Sequence, residues 1–416
     1  MRRPAFALAA VTLATAAALG FAEVALRVVY REGGRRTLGG PGGQEFEYDY
    51  VQGEDRVPQA TGPKAPGITR IAVFGDSITF GMGLRDWRQT YPAQLLDRLN
   101  RDGPRYDMAT WAHAGLEVHG HAWNIETFAL PLEPDVVIYQ WFINDLEVNK
   151  DARPLPPPSL RDHWLGGWFA RRTVLGYILN ARLASVQAGA AYATYLRERF
   201  SPGTAGWDVF ACYFHNFATL ASSTASRRLL LLYPQLPVPS PNPVQAIYDG
   251  VRGLASPHLL RLHGEHFPSS EPTGAVTTPF LFFLPGWHEL SVRLRVLHDG
   301  ATATATLTDR EGQVHAAVRA PTGPRGEWQT VTVPFEVPNG PPRALSLAVR
   351  ADERGAVVVD TITSQTDYGF ELIDPTTALS GFDTHVSSFD SHPNARAHAV
   401  LADLLAAAIT RGAPSR

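Results

Sequence analysis

Two short polar motifs near opposite ends of the sequence contain the side chains that nucleophilic acyl transfer requires. Ser77 lies in the pentapeptide 75–79 (GDSIT), directly after the apolar run 71–74, and His392 lies near the C-terminus with Asp390 two residues before it. Acyl transfer through a covalent intermediate needs a hydroxyl nucleophile, a base that removes its proton and a group that orients the base. The motifs therefore make Ser77 a candidate nucleophile, His392 its base and Asp390 the orienting acid.

Both motifs also have purely structural interpretations. In a strand-to-helix turn, Ser77 or Thr79 would serve as a helix N-cap. Near the C-terminus, Asp390 or Ser391 would cap the last helix in the same way. For the first motif alone, the structural and catalytic interpretations are about equally supported. A nucleophile motif and a base motif in one chain are much less expected by chance, which favours catalysis.

Two further residues are candidate donors to an oxyanion. Gly115 follows a predicted strand over 106–110, and Asn144 follows the apolar run 136–139. Taken singly, Gly115 is typical of a turn and Asn144 of a loop. Because the carboxyl ends of parallel strands meet at one edge of a sheet, we expect the Gly115 N–H and the Asn144 amide to converge on Ser77.

Continuous apolar runs alternate with helical segments along much of the chain. The strand-like runs cover residues 69–74, 134–139 and 228–233, and helices are expected from about Tyr91 and from about Pro393. Apolar runs separated by helices are typical of a parallel sheet with helices on both faces. The sequence therefore predicts an α/β fold.

Two segments interrupt this α/β pattern. Residues 151–226 begin with a Pro-rich stretch and continue as helical segments. Residues 256–367 instead contain short strand-like runs with Gly, Pro and Asp between them. Apolar and polar residues alternate in 290–296, and the runs 301–307, 328–335, 345–349 and 356–362 follow. Several short strands at this spacing predict a β-sandwich.

The N-terminal segment is apolar enough to enter a membrane. Residues 4–22 carry no charge, and as a helix they would be about 28 Å long, close to the thickness of a hydrocarbon core. A cleaved signal peptide is the alternative to an uncleaved anchor over 1–31, but apolar helical spacing that continues to Val29 favours the anchor. The arginines that follow argue against export, yet long domains translocate largely regardless of such charges. We expect an extracytoplasmic domain, with residues 32–68 as a stalk.

Composition argues against several classes of function. A chain of 416 residues exceeds the usual size of one core, so two folded units are expected besides the tail. A net charge of -3 without a long basic stripe argues against nucleic-acid binding.

Cys212 lies in an apolar run and is expected to be a buried small hydrophobe. His119-x-His121 has no cluster of acidic or cysteine partners, so surface-loop histidines are expected there and no metal site.

In its polar motifs the chain resembles the SGNH/GDSL hydrolase family, in the bacterial membrane-anchored branch. The matching residues are Gly75-Asp76-Ser77, Gly115, Asn144-Asp145 and Asp390-x-His392-Pro393-Asn394, with Thr90-Tyr91-Pro92 as a further similarity. The resemblance covers about residues 69–150, 226–255 and 368–412. It implies a flavodoxin-like three-layer fold and catalysis without a cofactor. It also implies that the backbone N–H of Ser77 completes the oxyanion hole.

The chain departs from the family pattern at two positions. Phe142 stands two residues before the third-block Asn, where the family often has Gly, and would narrow the pocket. Phe389 stands three residues before His392, where the acid often lies. Asp390 is therefore the expected orienting acid, and Asp383 is the alternative.

The predicted sandwich resembles, more weakly, the jelly-roll carbohydrate-binding modules. The similarity is in Gly326-Glu327-Trp328 leading into a strand and in Val358-Val359-Asp360. Exposed aromatic residues such as Trp287 or Trp328 would bind sugars, or the sandwich would serve only as a structural lid.

Together these features predict a membrane-anchored serine esterase or O-acyltransferase whose substrate is an O-acetylated cell-envelope or secreted polysaccharide. The expected arrangement is an anchor (1–31), a stalk (32–68), a hydrolase domain in two parts (69–255 and 368–416) and a sandwich (256–367). A lipid or small-ester esterase is one alternative. A non-catalytic polysaccharide-binding protein is the other.

Overall fold

The computed structural model describes most of the chain between residues 2 and 411. The described residues are 2–32, 58–60, 62–84, 86–148, 164–236, 240–271, 274–320, 324–352, 356–381, 383–387 and 390–411. Most of the predicted stalk and the Pro-rich start of the helical insertion therefore lie outside the described residues. The side chains of residues 2–5, 7–9, 29–32, 171, 181–188 and 387–391 are also outside the described part.

The described chain contains nine α-helices and sixteen β-strands. The helices are α1 Arg2–Glu32, α2 Ser77–Phe80, α3 Tyr91–Leu99, α4 Val118–Asn124, α5 Trp164–Arg172, α6 Val174–Phe200, α7 Ala205–Thr224, α8 Gln245–Leu254 and α9 Ala395–Thr410. The strands are β1 Thr69–Gly75, β2 Tyr106–Ala112, β3 Val136–Trp141, β4 Arg227–Leu232, β5 His258–His263, β6 Gly274–Thr277, β7 Leu281–Phe283, β8 Gly286–Val296, β9 Ala303–Asp309, β10 Val314–Arg319, β11 Trp328–Val337, β12 Arg343–Ala351, β13 Val357–Thr366, β14 Phe370–Ile373, β15 His385–Ser387 and β16 Asp390–Pro393.

The chain divides into two compact units. One unit combines residues 1–53, 152–195 and 387–391, and the other combines residues 54–151, 196–386 and 392–416. The first unit contains α1, α5 and most of α6. The second contains the parallel sheet, its helices and the sandwich.

In the first unit, α1 is fastened to the start of α6 through one carboxylate. Glu23 accepts hydrogen bonds from the backbone N–H groups of Val174 (2.9 Å) and Leu175 (3.0 Å) and from the Arg27 side chain (2.7 Å). Arg27 also donates to the carbonyl of Arg172, at 3.2 Å. The first N–H groups of a helix have no partner within it, so Glu23 acts as a cap supplied by another helix.

Helix α1 contains the one candidate membrane span among the described helices. The span covers Ala10–Val28, 19 residues with a mean hydropathy of 1.5. A signal sequence near an N-terminus would have the same length and composition. The helix therefore meets the requirement for crossing a bilayer without distinguishing an anchor from a signal peptide.

In the second unit, five strands form a parallel sheet in the order β14-β4-β3-β1-β2. Strand β1 pairs with β2 on one side and β3 on the other, with Ile71 opposite both Met108 and Val136. Alternate residues of β1 face opposite sides: Ile71 and Val73 pack in one core with α3 and α9, whereas Phe74 contacts Phe217 of α7. The predicted parallel sheet covered on both faces is confirmed.

The last helix begins slightly later than the sequence indicated. It starts at Ala395, and Asn394 is the N-cap, its side-chain oxygen accepting the N–H of Ala397 at 3.0 Å. The expected start near Pro393 was two residues early. The cap is therefore neither Asp390 nor Ser391, because the asparagine side chain satisfies the first free N–H groups.

The sandwich consists of two antiparallel sheets. Their orders are β11-β8-β13-β5 and β10-β9-β12-β6, with β7 also paired to β12. The alternating run in β8 buries Leu290, Val292, Leu294 and Val296 in a core shared by both sheets. The predicted strands are present, and β5, β6, β7 and β10 are additional strands that the sequence pattern did not reveal.

Helix α7 lies between the parallel sheet and the sandwich. On one side its Phe217 packs against Tyr139, with ring centroids 4.7 Å apart. On the other side its His215 and Asn216 hydrogen-bond the backbone at Phe282, and Asn216 also donates to the carbonyl of Phe280. Cys212 of this helix is buried, as predicted, and burial raises the pKa of its thiol.

Candidate active site

Ser77 lies at the carboxyl edge of the central strand β1. The strand ends at Gly75, Asp76 caps the short helix α2, and Ser77 is its first residue. The Asp76 carboxylate accepts the N–H of Ile78 at 2.9 Å, which fixes the turn. Ser77 itself is largely buried, with 8% of its surface exposed.

A polar network holds this turn against strand β3. Gln140 accepts a hydrogen bond from the Asp76 N–H (3.3 Å) and another from the Thr79 hydroxyl (2.8 Å), and the Tyr91 hydroxyl lies 2.8 Å from the Thr79 oxygen. A Cβ at Gly75 would meet Thr79 Oγ1 and would lie 2.6 Å from Gln140 Oε1. Only glycine allows so close an approach, which explains the residue that precedes the Asp-Ser pair.

The structure brings His392 to the Ser77 hydroxyl. His392 Nε2 lies 2.9 Å from Ser77 Oγ, although 315 positions separate the two residues. This distance is within the range for direct proton transfer from a hydroxyl to an imidazole.

Of the two candidate orienting acids, Asp390 and Asp383, the structure describes the side chain of Asp383. Asp390 lies in β16, but its side chain is outside the described residues, so its role stays a prediction. The alternative, Asp383, is exposed, and its carboxylate accepts the backbone N–H of His385 at 3.1 Å.

Gly115 and Asn144 follow the two strands that flank β1. Gly115 lies three residues after β2 with a φ of 71°, a left-handed conformation that favours glycine. Asn144 lies in a 3-10 turn, Ile143–Leu146, just after β3, and its side chain interacts with the Asp76 carboxyl, whose pKa is raised by burial against the opposing effect of Asn144. Both residues are thus at the same sheet edge as Ser77, and their roles as oxyanion donors stay predictions.

Three ionisable side chains are fully buried behind Ser77: Asp76, Asp145 and His121. Asp145 accepts the Tyr139 hydroxyl at 3.0 Å and the Phe142 N–H at 3.2 Å. Burial and then the charge of Asp145 raise the pKa of Asp76 to about 6, although the Ile78 N–H, Asn144 and His121 oppose the shift. Burial lowers the pKa of His121 to about 4, so this imidazole is neutral at pH 7.

The prediction that His119 and His121 lie in a surface loop is wrong, because both lie on a helix and His121 is buried. Both residues lie on α4, where positions two apart point to nearly opposite sides. His119 is exposed and contacts Tyr213, whereas His121 Nε2 lies 3.8 Å from a carboxylate oxygen of Asp145. Two further residues were not predicted from the sequence: Gln140, and His398, a buried histidine that accepts the N–H of Tyr91 at 3.0 Å.

Comparisons with known proteins give limited similarities. No family model and no curated protein matches the chain. Among solved structures, TesA is 19% identical, covering 44% of this chain and 72% of its own, with a TM-score of 0.22. A catalytic mutant of Axe2, an acetylxylan esterase from Geobacillus stearothermophilus, is 13% identical, covering 44% of this chain and 67% of its own, with a TM-score of 0.26.

The sandwich also has similar solved structures. The C-terminal CBM6 of LamC from Zobellia galactanivorans is 18% identical, covering 26% of this chain and 100% of its own, with a TM-score of 0.21. At such identities and TM-scores, none of these similarities carries an argument about activity. The function must therefore be inferred from the geometry of the site.

Proposed function

We propose that the protein is a serine esterase or O-acyltransferase of the SGNH/GDSL type. The observation that carries this proposal is the 2.9 Å contact between His392 Nε2 and Ser77 Oγ at the carboxyl edge of a parallel sheet. A serine hydrolase needs its nucleophilic hydroxyl and its imidazole base within hydrogen-bond distance of each other, and this pair meets that requirement.

In the proposed reaction, His392 takes the Ser77 proton as Oγ attacks the carbonyl carbon of an ester. The negative charge on the resulting tetrahedral oxygen is stabilised by the backbone N–H groups of Ser77 and Gly115 and by the Asn144 amide. His392 then returns the proton to the leaving alcohol, and Asp390 keeps its imidazole oriented. Water completes hydrolysis of the acyl-Ser77 intermediate, and a sugar hydroxyl completes transfer.

The proposed substrate is an O-acetylated polysaccharide of the cell envelope or one that is secreted. Trp287 on β8 is 69% exposed, and Trp328 on the neighbouring β11 is also exposed. The guanidinium groups of Arg293 and Arg295 lie 5.1 and 4.7 Å from the Trp328 ring centre. Because these two guanidinium groups lie over the Trp328 ring, Trp287 is the aromatic side chain on this sheet whose face is more open. An exposed tryptophan suits the apolar face of a sugar, which favours polysaccharide over lipid.

The proposed location is the outer face of a membrane, with α1 retained as an anchor. The Glu23 carboxylate is held by Val174 and Leu175 while the helix continues on both sides of it. Signal-peptide cleavage near Ala22 would leave Glu23 on a frayed chain end, so these contacts favour the uncleaved form. The intact mass of the mature protein measures this directly.

The proposed activity is tested with the detergent-solubilised full chain and p-nitrophenyl acetate. We expect turnover by the natural protein and a loss of about 10⁴-fold or more in kcat for Ser77→Ala. Ser226→Ala is the matched control, because Ser226 is an exposed serine that precedes β4 and hydrogen-bonds only the Asp135 carbonyl among the described contacts.

Three outcomes would contradict or redirect the proposal. An inert natural protein would favour the polysaccharide-binding alternative. Turnover that survives Ser77→Ala would exclude Ser77 as the nucleophile. A strong preference for octanoate over acetate would favour the lipid esterase.

A further inference from the structure

A second cluster of reactive side chains lies where α7 meets the sandwich. Asp208 is in the first turn of α7, His263 is the last residue of β5, and His266 ends the short 3-10 turn that follows. His263 Nδ1 lies 2.9 Å from Asp208 Oδ2, and His266 Nδ1 lies 2.7 Å from the same oxygen. Both imidazoles therefore face the same carboxylate oxygen of Asp208.

The Asp208 carboxylate is fully buried, and its two oxygens differ in the number of hydrogen bonds they accept. Its Oδ2 faces both imidazoles and also accepts the backbone N–H of His263 at 2.7 Å. Its Oδ1 is buried without a hydrogen-bond partner among the described residues. A buried carboxylate oxygen without a partner is costly, and a cation bound beside Asp208 would offset that cost.

The backbone between the two histidines is tightly constrained. A Cβ at Gly264 would meet the carbonyl oxygen of Val359 on the neighbouring strand β13. The backbone can therefore approach β13 this closely only with glycine at position 264. Their rings lie 5.3 Å apart between centroids.

We propose that Asp208, His263 and His266 bind a divalent transition-metal cation of the Zn²⁺ type. Two imidazole nitrogens and one carboxylate oxygen are ligands that Zn²⁺ accepts, whereas Ca²⁺ and Mg²⁺ prefer oxygen ligands throughout. With metal–ligand bonds of about 2.0–2.1 Å, tetrahedral ligands lie about 3.3 Å apart. The two nitrogen–oxygen distances would need to lengthen by only about 0.5 Å, and all three ligand atoms already lie within 4.8 Å of one another.

The cation would link two parts of the second unit. Asp208 belongs to the helix that packs on the parallel sheet, and both histidines belong to the sandwich. A bound metal would therefore fasten α7 to strand β5. With three protein ligands, the fourth position is left for water. This inference concerns a site separate from Ser77 and does not depend on the esterase proposal.

Metal binding is tested with the untagged full chain in detergent, stripped with a chelator and dialysed. We expect one equivalent of Zn²⁺ to rebind, by elemental analysis, and to raise the Tm by about 5 °C, with no comparable effect of Ca²⁺. Co²⁺ substituted at the site should give the visible absorption of a tetrahedral complex.

Two variants and a control make this test decisive. His266→Ala and Asp208→Asn should each lose the bound Zn²⁺ and the Tm increase, whereas His298→Ala, at an exposed histidine outside the cluster, should keep both. Stoichiometric Zn²⁺ that persists in both cluster variants would overturn the proposal. A natural chain that binds no Zn²⁺ or Co²⁺ would also overturn it, and that measurement does not depend on whether a variant folds.

Discussion

The edge of the parallel sheet near Ser77 and the interior of the sandwich bury very different side chains. Behind Ser77 the chain buries Asp76, Asp145, His121 and Gln140. The main core of the sandwich is built from apolar residues supplied alternately by its two sheets. Burial of polar and charged groups is expensive and adds little to stability, whereas apolar burial stabilises by about 25 cal/mol per Å².

We therefore expect the sheet edge near Ser77 to matter mainly for the proposed reaction and the sandwich core to matter mainly for stability. The buried polar groups at the sheet edge fix the turn that carries Ser77, at a cost in stability. The side chains that form the main core of the sandwich are apolar. Substitutions in the two regions should therefore change different measurements.

The largest expected effect is at the base. His392→Ala should lower kcat for p-nitrophenyl acetate by about 10³-fold, because the Ser77 hydroxyl loses the group that takes its proton. The free energy of unfolding should change by less than about 1 kcal/mol, since the ring is only partly buried. Urea denaturation and steady-state kinetics measure the two quantities. Activity within tenfold of the natural protein would remove His392 from the mechanism.

The converse is expected in the sandwich. Leu294→Ala leaves a cavity between the two sheets and should lower the free energy of unfolding by about 2–5 kcal/mol. The kcat of the folded fraction should stay unchanged, because the residue contributes only to apolar packing. Ser291→Ala, on the same strand but outside the main core, is the control and should cost less than about 0.5 kcal/mol. If the fully folded Leu294→Ala protein lost kcat, the sandwich core would affect the reaction as well as stability, which contradicts this prediction.

The third prediction concerns the cost of a buried charge at the sheet edge. The folded protein raises the pKa of Asp76 from 3.8 to about 6, so the native state binds this proton more tightly than the unfolded state does. Above pH 6 the folded protein carries the unfavourable Asp76 charge, so the loss of stability is largest there. The loss disappears as the pH falls below about 4, where Asp76 is protonated in both the folded and the unfolded state. Asp76→Asn removes the charge but keeps an oxygen that can accept the Ile78 N–H.

We therefore expect Asp76→Asn to be more stable than the natural protein by about 3 kcal/mol at pH 8 and by about half of that at pH 5. Urea denaturation at the two pH values measures the difference. A gain of stability that is identical at both would show that Asp76 does not ionise in this range.

The sequence predicted those parts of the fold and site that depend on local pattern. Apolar runs indicated β1, β3 and β4, and period-two alternation indicated β8. Ser77 and His392 were found because each stands in a short motif beside a predicted strand or helix. In these cases the information lies within a few neighbouring residues.

Other features depend on contacts that no local pattern records. Gln140 lies inside an apolar strand, and only the fold brings it to the Ser77 turn. His121 was misjudged because nothing nearby in sequence shows that Asp145 lies beside it. Asp208 stands 55 and 58 positions before the two histidines that face it, a spacing with no recognisable motif.

The Glu23 contact has a mechanical consequence. A helix tied to its neighbour by peptide chain alone can tilt without disturbing that neighbour, whereas α1 is also hydrogen-bonded to the start of α6 through the Glu23 carboxylate, one turn before Arg27. Bilayers of different thickness change the tilt of a spanning helix. If α1 spans the bilayer, its inclination is passed to α6 through Glu23, which makes the orientation of α6 depend on lipid composition.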